Sequence, residues 1–278
     1  MIFPHKRRIK PRLGARINKG HRLAKGLVGY WLMNENPGKL GKVYDSSGNR
    51  HTGTLVGDTQ GVPGKFGPAL EFYGTPYNLS DTDCVVIPDH PSLHFNGLDF
   101  SISIFFKTNA AGSHPLIAKR DSVGTHDWAL VVDDGVSPDV SMYLGESFGD
   151  TIFRALNASF PQGEWHRIVV TKSGTTYKLY RNGTYVGSDT SAQTWTDSDD
   201  IAIGAFQTDG NYGTKGIIDN VMIYNRALST SEIAQLYTNP FGMFERDETI
   251  LWQPGAGEPP VGNPGIMTTW GGYWGATY

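Results

Sequence analysis

Apolar and polar residues alternate in short segments along most of this chain, which is the pattern of half-buried β-strands. The alternation is clearest over residues 100–107, FSISIFFK, where four large apolar side chains share one face and Ser101 and Ser103 share the other. About a dozen such segments, separated by turn residues, favour an antiparallel β-sandwich over a helical fold. The fold class predicted from the pattern is therefore all-β, in two sheets.

Turn chemistry divides the chain into short predicted strands. Asn182-Gly183 is the strongest hairpin signal, because both central positions of a type I′ turn require a positive φ. The predicted strands cover residues 26–33, 69–73, 84–87, 100–107, 115–119, 128–132, 140–144, 151–155, 165–171, 177–181, 201–204 and 216–223.

Residues 216–237, GIIDNVMIYNRALSTSEIAQLY, predict the last strand followed by one short helix. Ser229 and Glu232 form an S-x-x-E capping box, in which each side chain satisfies a free backbone N–H of the first turn. Pro240 ends the helix, because proline disfavours helical geometry in the residue before it. This is the only helix that the sequence predicts.

Asp219 is an anomaly in that strand. Strict alternation places it on the same face as Ile217, Val221 and Ile223. A carboxylate in an apolar layer is costly unless a positive or hydrogen-bonding group meets it. Asp219 is therefore the first candidate for a functional or structural site.

Composition supports a packed protein. Of 278 residues 38% are hydrophobic and 12% aromatic, and 35 glycines and 16 prolines suit many tight turns. The single cysteine, Cys84, excludes an internal disulfide framework. The basic N-terminus lacks the apolar core of a signal peptide, and no apolar run reaches 18 residues, so we expect neither a signal peptide nor a membrane partner.

Charge is distributed unevenly. Residues 1–34 carry nine Lys and Arg and no acidic residue, whereas the remainder carries fifteen basic and 27 acidic residues. A solvated tail is one interpretation of the basic segment. A nucleic-acid-binding arm is another, but interleaved aromatics are scarce and the acidic body would repel phosphate. We favour an arm, residues 1–25, that docks on a partner or a neighbouring copy through Lys6, Arg7, Arg8, Lys10, Arg12 and Arg16.

The C-terminal residues 241–278 are rich in Gly and Pro but also contain large aromatics. A plain linker does not carry so many aromatics, so this tail is a second predicted attachment segment. Its candidate partner-binding residues are Trp270, Tyr273, Trp274 and Tyr278. The sequence thus predicts a basic arm at 1–25, one domain at 26–240 and a tail at 241–278.

Eight segments together resemble the concanavalin-A-like lectin/glucanase superfamily, in its laminin-G-like jelly-roll branch. They are GLVGYW at 26–31, DSSGN at 45–49, PGKFGPALEF at 63–72, CVVIPDHPSL at 84–93, FSISIFFK at 100–107, EWHRIVVTKSG at 164–174, YKLYRNGTYVG at 177–187 and IDNVMIYNRALSTSEIAQLY at 218–237. The resemblance implies a two-sheet jelly roll. The start GHRLAKGLVGYWLMNE and the motif NPFGMFE also resemble laminin-G-like proteins among tailed-bacteriophage virion components.

The resemblance also implies a structural Ca²⁺ between the DSSGN loop and the last strand. Carried over by residue, its ligands are Asp45, the backbone at Asn49 and His51, and Asp219. Such hard oxygen ligands suit Ca²⁺. The alternative for Asp219 is a carboxylate satisfied by backbone N–H groups or an arginine.

Glycan binding, which this fold often serves, needs exposed aromatic platforms beside polar groups. The candidates are Trp195, Trp128, Tyr143 and Tyr212, and Trp195 is the best of them because its surroundings, TWTDSDD, are polar. The alternative for Trp128 is a core position.

The sequence argues against catalysis. Glycanases of this superfamily use paired carboxylates, as in E-x-D-x-x-E, and this chain has no such motif. Together with the resemblance to virion proteins and the two attachment segments, this leads us to expect a non-enzymatic virion structural protein at the particle surface, attached to other virion proteins or to copies of itself. The alternative is a carbohydrate-binding module for glycan adhesion.

Overall fold

The computed structural model describes residues 9–35, 41–74, 83–120, 126–133, 139–144, 151–152, 160–206 and 213–245. Within them the chain forms two antiparallel sheets and one α-helix. The strands are β1 Leu27–Trp31, β2 Lys42–Val43, β3 Gly53–Val56, β4 Gln60–Pro63, β5 Pro68–Tyr73, β6 Cys84–Ile87, β7 Phe100–Thr108, β8 Ser113–Arg120, β9 His126–Asp133, β10 Asp139–Leu144, β11 Thr151–Ile152, β12 His166–Ser173, β13 Thr176–Arg181, β14 Thr184–Thr190, β15 Ile201–Ile203 and β16 Lys215–Tyr224.

The sheets stack as a jelly-roll sandwich. Sheet 1 has the order β14-β13-β12-β7-β16-β5-β4, and β1 pairs with the second half of β16. Sheet 2 has the order β11-β10-β9-β8-β15-β6-β3-β2. The predicted all-β, two-sheet architecture is confirmed.

The main core lies between the two sheets. The alternation predicted for β7 holds, since the apolar residues at 100, 102, 104 and 106 all belong to this core. The Asn182-Gly183 turn joins β13 to β14, and its two residues have φ values of 51° and 84° as a type I′ turn requires. Pattern and turn chemistry therefore fixed much of the sandwich.

A third layer covers the other face of sheet 1. It consists of the basic arm from residue 10 onward, helix α1 (Thr230–Thr238) and residues 241–244. The predicted capping box is present in α1, with the Ser229 and Glu232 side chains each bonded to the other residue's backbone. Met222 and Tyr224 of β16 point into this layer and pack against Leu23, Phe241 and other buried side chains.

This third layer corrects the predicted domain limits of 26–240. Ile17 and Leu23 of the arm, and Phe241, Met243 and Phe244 after the helix, are buried. The compact unit continues to Glu245, and residues 246–278 form a second unit that lies outside the described residues. Residues 10–25 and 241–245 are therefore parts of the domain.

A β-bulge in β16 corrects the predicted orientation of Asp219. The register with β7 shifts between Asp219 and Met222, and Asn220 has a φ of 49°. Ile218, Val221 and Ile223 consequently face the main core. Asp219 lies on the opposite face, beneath the basic arm, because the extra residue breaks the period-2 alternation.

Candidate functional site

The DSSGN loop is organised around Asp45. Its Oδ1 accepts hydrogen bonds from the backbone N–H groups of Tyr30 at 2.9 Å and Ser47 at 2.8 Å. Its Oδ2 accepts from Ser47 Oγ at 2.8 Å and from the N–H of His51 at 3.1 Å. Burial opposes ionisation, but the bonds from His51, Tyr30 and Ser47 together hold the pKa of Asp45 below its ordinary value. The carboxylate thus closes the loop onto β1.

Asn49 and His51, whose backbone was predicted to bind the metal, also make contacts that hold this loop. Asn49 donates its side-chain amide to Val28 O at 2.7 Å, and His51 Nδ1 lies 3.2 Å from the same oxygen. The carbonyl oxygen of His51 accepts the indole N–H of Trp31 at 2.7 Å. Asn49 and His51 therefore fasten the loop to the start of β1.

Asp219 lies in a different environment. Its Oδ1 is 2.5 Å from Lys10 Nζ and accepts the amide of Asn220 at 2.9 Å. Its Oδ2 is buried and has no hydrogen-bond partner among the described residues. Burial raises the pKa of Asp219 to about 6, although Lys10 and Arg167 oppose the change. The partner that the sequence left open is a lysine of the basic arm.

The described contacts do not join all four predicted calcium ligands to one another. Asp45 reaches the backbone of β1 and Asp219 reaches Lys10, and no described contact joins the two carboxylates. Within the described ranges, no group of three or more His, Cys, Asp or Glu side chains is arranged to hold a metal ion. Calcium binding by this chain, and the ligand set given for it, stay predictions.

The structure also places an acid, an imidazole and a hydroxyl in a row. His51 Nδ1 lies 3.4 Å from Asp45 Oδ2, and His51 Nε2 lies 2.9 Å from Ser92 Oγ. The same hydroxyl lies 2.8 Å from His90 Nδ1, which also accepts the N–H of Ser92. One hydroxyl hydrogen cannot serve both imidazoles, so we interpret this network as a link between two loops and not as an activated nucleophile.

The aromatic platforms predicted for glycans are not exposed. Trp195 is 6% and Trp128 1% exposed, and both belong to the main core. The prediction that Trp195 is exposed is wrong, because Trp195 points inward while its polar neighbours on either side point outward. Asp197, two residues later, also points inward, and its Oδ1 lies 3.0 Å from Lys119 Nζ. Tyr143 is half-buried against Phe206, and Tyr212 lies outside the described residues.

The basic arm is divided by its contacts. Lys10 is buried, so its predicted role as a free partner-binding cation is wrong. Arg12 and Arg16 lie at the surface. The remaining predicted partner-binding residues, Lys6, Arg7 and Arg8 of the arm and Trp270, Tyr273, Trp274 and Tyr278 of the tail, lie outside the described residues.

A groove of about 510 Å³ lies between residues 13–19 of the arm, residues 44–48 of the DSSGN loop and Glu245. Tyr44 at its edge is 42% exposed, and Lys19 donates to Ser47 O at 2.6 Å across it. The sequence interpretation missed this groove. Nothing in the sequence around Tyr44 marks it as a binding residue. The groove was missed because the arm that completes it was expected to lie apart from the domain.

The two segments that resemble virion proteins, residues 20–35 and 239–245, meet where the rings of Tyr30 and Phe244 lie 5.5 Å apart. The residues just before the first segment pair with the second. Ile17 forms a β-bridge with Phe244, and Asn18 donates its N–H to Met243 O at 2.9 Å. Glu245 donates its N–H to Arg16 O at 2.8 Å. Residues 16–18 and the NPFGMFE motif therefore form one paired element on the outer face of sheet 1.

Comparison with known proteins identifies the family. The model of the family Laminin_G_3, of the concanavalin A-like lectin/glucanases superfamily, matches residues 79–234, more than half of the chain. The chain belongs to this superfamily. The superfamily and jelly-roll predictions are thereby confirmed, and the domain that matches is a lectin-like one.

Similar proteins are diverse. The chain is 28% identical over 225 residues to the human adhesion G-protein coupled receptor D1; the match covers 77% of the chain and 24% of the receptor. The chain therefore spans about a quarter of that curated relative. This likeness is to one part of a much larger protein.

Solved structures share the fold at low identity. The binding domain of Paraclostridial Mosquitocidal Protein 1 matches with a TM-score of 0.61 and 20% identity, over 80% of this chain and 54% of that one. Domain 4 of the arabinanase AbnA from Geobacillus stearothermophilus, solved with arabinotriose, matches with a TM-score of 0.58 and 19% identity, over 76% of this chain and 98% of that one. Trypanosoma rangeli sialidase matches with a TM-score of 0.58 and 16% identity, over 82% of this chain and 36% of that one.

The only α-helix in the described part of the chain, α1, is too short to cross a membrane.

Proposed function

We propose that this chain is a non-enzymatic structural protein of a tailed-phage-type virion, whose lectin-like domain is attached to neighbouring virion proteins or further copies through its terminal segments. The observation that carries the proposal is the contact of Tyr30 with Phe244, whose ring centroids lie 5.5 Å apart. These residues belong to the two segments that resemble virion proteins. Their place in one buried cluster supports treating the two segments as one feature.

Surface chemistry at the N-terminal side also supports attachment. Ile9 is 77% and Leu13 46% exposed, although both are large and apolar. Arg12 and Arg16 lie at the surface of the same segment. Apolar side chains interspersed with arginine are typical of protein–protein contacts. The segment itself is fixed to sheet 1, so it presents these side chains from a rigid base.

The test neutralises the part of the arm that precedes this base. We expect Lys6→Gln/Arg7→Gln/Arg8→Gln to lower the copy number in purified particles by about tenfold or more, since about 1.4 kcal/mol of lost contact energy is tenfold in affinity. Quantitative mass spectrometry of the particles measures the copy number. The matched control, Lys65→Gln/Lys178→Gln/Lys215→Gln, removes the same charge from exposed positions of the domain.

Retention of the triple arm variant at the wild-type copy number would contradict attachment through these charges. An equal loss in the control would assign the effect to net charge. Deleting residues 1–25 is a poorer test, because it also removes Lys10 and the buried side chains of the third layer.

Carbohydrate binding is the second candidate, and one observation favours it. The groove at residues 13–19 and 44–48 places an exposed tyrosine beside Ser46, Arg16 and Glu245. An aromatic face with hydrogen-bonding groups around it is the arrangement that sugar rings need. Oligosaccharide binding at this groove would require Tyr44 and not Trp195.

A further inference from the structure

We infer that the ammonium group of Lys10 is the built-in cation of the Asp219 carboxylate, and that it ties the basic arm to the last strand in the way a bound metal ion would. The inference does not depend on the proposed function. It concerns how the third layer is held to sheet 1, and it replaces the calcium ion that the family resemblance implied at Asp219.

Lys10 makes three polar contacts with other parts of the domain. Its Nζ lies 2.5 Å from Asp219 Oδ1 in β16 and donates a hydrogen bond to Pro68 O in β5. The backbone N–H of Lys10 donates to Phe66 O at 3.1 Å. The side chains of Lys10 and Asp219 are 3% and 0% exposed. The ammonium thus joins the arm to β5 and to the last strand out of contact with water, and the backbone of Lys10 adds a bond to the loop before β5.

The electrostatics require a cation at this place. Asp219 is fully buried, and an unpaired buried carboxylate costs several kcal/mol. The other nearby cation, Arg167, directs Nη1 to Ser103 Oγ at 3.1 Å. Glu35 also lies within electrostatic range of Lys10 and favours its charge, although burial lowers the pKa of Lys10. Without Lys10 the carboxylate would lose its only ion-pair partner among the described residues.

Buried oxygen atoms without partners in the described part of the chain occur in Asp219 and in two residues that line an adjoining cavity. Asn34 Oδ1, Glu35 Oε2 and Asp219 Oδ2 are buried and accept no hydrogen bond within the described residues. A cavity of about 510 Å³, lined by Asn34, Glu35 and residues 61–64 and 67–68, adjoins the Pro68 carbonyl that Lys10 uses. Carboxylate, amide and carbonyl oxygens are ligands for Ca²⁺. Removal of the lysine charge should therefore turn this region into a site for a divalent cation.

The test compares the full-length wild type with Lys10→Met, which keeps most of the apolar stem and removes the ammonium. Melting temperatures are measured by circular dichroism in EDTA and in excess Ca²⁺. We expect the wild type to melt at the same temperature in both. Lys10→Met should melt about 10 °C lower in EDTA, the scale expected for breaking a buried pair in a domain of this size. Added Ca²⁺ should restore part of that loss.

Two further variants isolate the cause. Lys10→Met/Asp219→Asn removes both charges and should regain most of the stability without any response to Ca²⁺. Lys178→Met, at an exposed position of β13, is the matched control and should melt as the wild type does.

A wild type that melts higher in Ca²⁺ than in EDTA, or that contains stoichiometric calcium by elemental analysis, would overturn the inference. A Lys10→Met protein as stable as the wild type, or one with no response to Ca²⁺, would do the same. If Lys10→Met fails to fold in EDTA, refolding it with and without Ca²⁺ gives the same decision from the yield of folded protein.

Discussion

The ion pair between Arg226 and Glu232 should be one of the stronger surface interactions of this domain. Arg226 Nη1 and Nη2 donate to the two oxygens of Glu232 at 2.9 and 2.8 Å. Arg226 Nε donates to Lys25 O at 2.7 Å, and Nη2 to Arg22 O at 3.2 Å. One side chain thus joins the start of α1 to the end of the basic arm. Loss of the pair should loosen the third layer.

The magnitude follows from the ionisation of Glu232. Burial opposes it, but the bonds from Arg226 and Ser229 lower the pKa of Glu232 from 4.5 to about 2. In a shielded site this depression is worth about 3 kcal/mol, at 1.36 kcal/mol per pH unit. The side chains of Arg226 and Glu232 are 29% and 12% exposed, so solvent screening reduces the expected contribution to about 1–2 kcal/mol.

The assay is urea unfolding of the wild type, Glu232→Gln and Glu232→Ala at neutral pH. Glu232→Gln keeps an N3 residue that can complete the capping box, so it should lose only the charge contribution of about 1–2 kcal/mol. Glu232→Ala should lose about 1 kcal/mol more, because the backbone N–H of Ser229 also loses its acceptor. Glu164→Gln, at an exposed turn position, is the control and should change little.

The pH dependence gives a second measure of the same pair. Because the folded-state pKa is depressed, the stabilisation is fully present above the unfolded value of 4.5 and is lost as the pH falls toward about 2. The difference in unfolding free energy between the wild type and Glu232→Gln should therefore disappear as the pH falls from 4.5 to about 2. A gap below about 0.5 kcal/mol at neutral pH, or one that persists unchanged at pH near 2, would refute the reasoning.

Two other predictions concern the groove and the hairpin. On a glycan array, any oligosaccharide bound by the wild type should be lost with Tyr44→Ala and kept with Tyr185→Ala, an exposed tyrosine elsewhere; equal retention would exclude the groove as the site. Gly183→Ala should destabilise the domain by about 1–2 kcal/mol in urea unfolding, since its φ is +84° and an added Cβ would lie 3.1 Å from Tyr237 Cβ. Gly163→Ala, with a φ of +78° and open space, should cost less, and a larger loss there would contradict the contact argument.

Asp219 shows how far sequence reasoning reached at the candidate site. Its charge within an apolar strand marked it correctly as a position that needs a partner. Strict alternation then gave it the wrong face, because the bulge at Asn220 depends on pairing with β7 and β1 and has no local signal strong enough to reveal it. The partner was equally hidden, since Lys10 is distant in sequence and belongs to an arm expected to lie apart.

Trp195 shows the same limit for exposure. Its polar neighbours suggested a surface position, but Thr194 and Thr196 point outward while Trp195 and Asp197 point inward. The buried Lys119 that meets Asp197 comes from β8, a strand of sheet 2. Composition of a segment averages over both of its faces, so only the tertiary structure could separate them.

The sequence by itself determined the all-β class, the hairpin at Asn182-Gly183 and the capped helix that ends the fold. Each of these depends on alternation, turn conformation or capping, which act over a few residues. Only the tertiary structure decided that the basic arm and residues 241–245 form a third layer, that Lys10 meets Asp219, and that Tyr44 borders a groove. These features depend on contacts between residues far apart in the chain, and local patterns carry no record of which distant segments will meet.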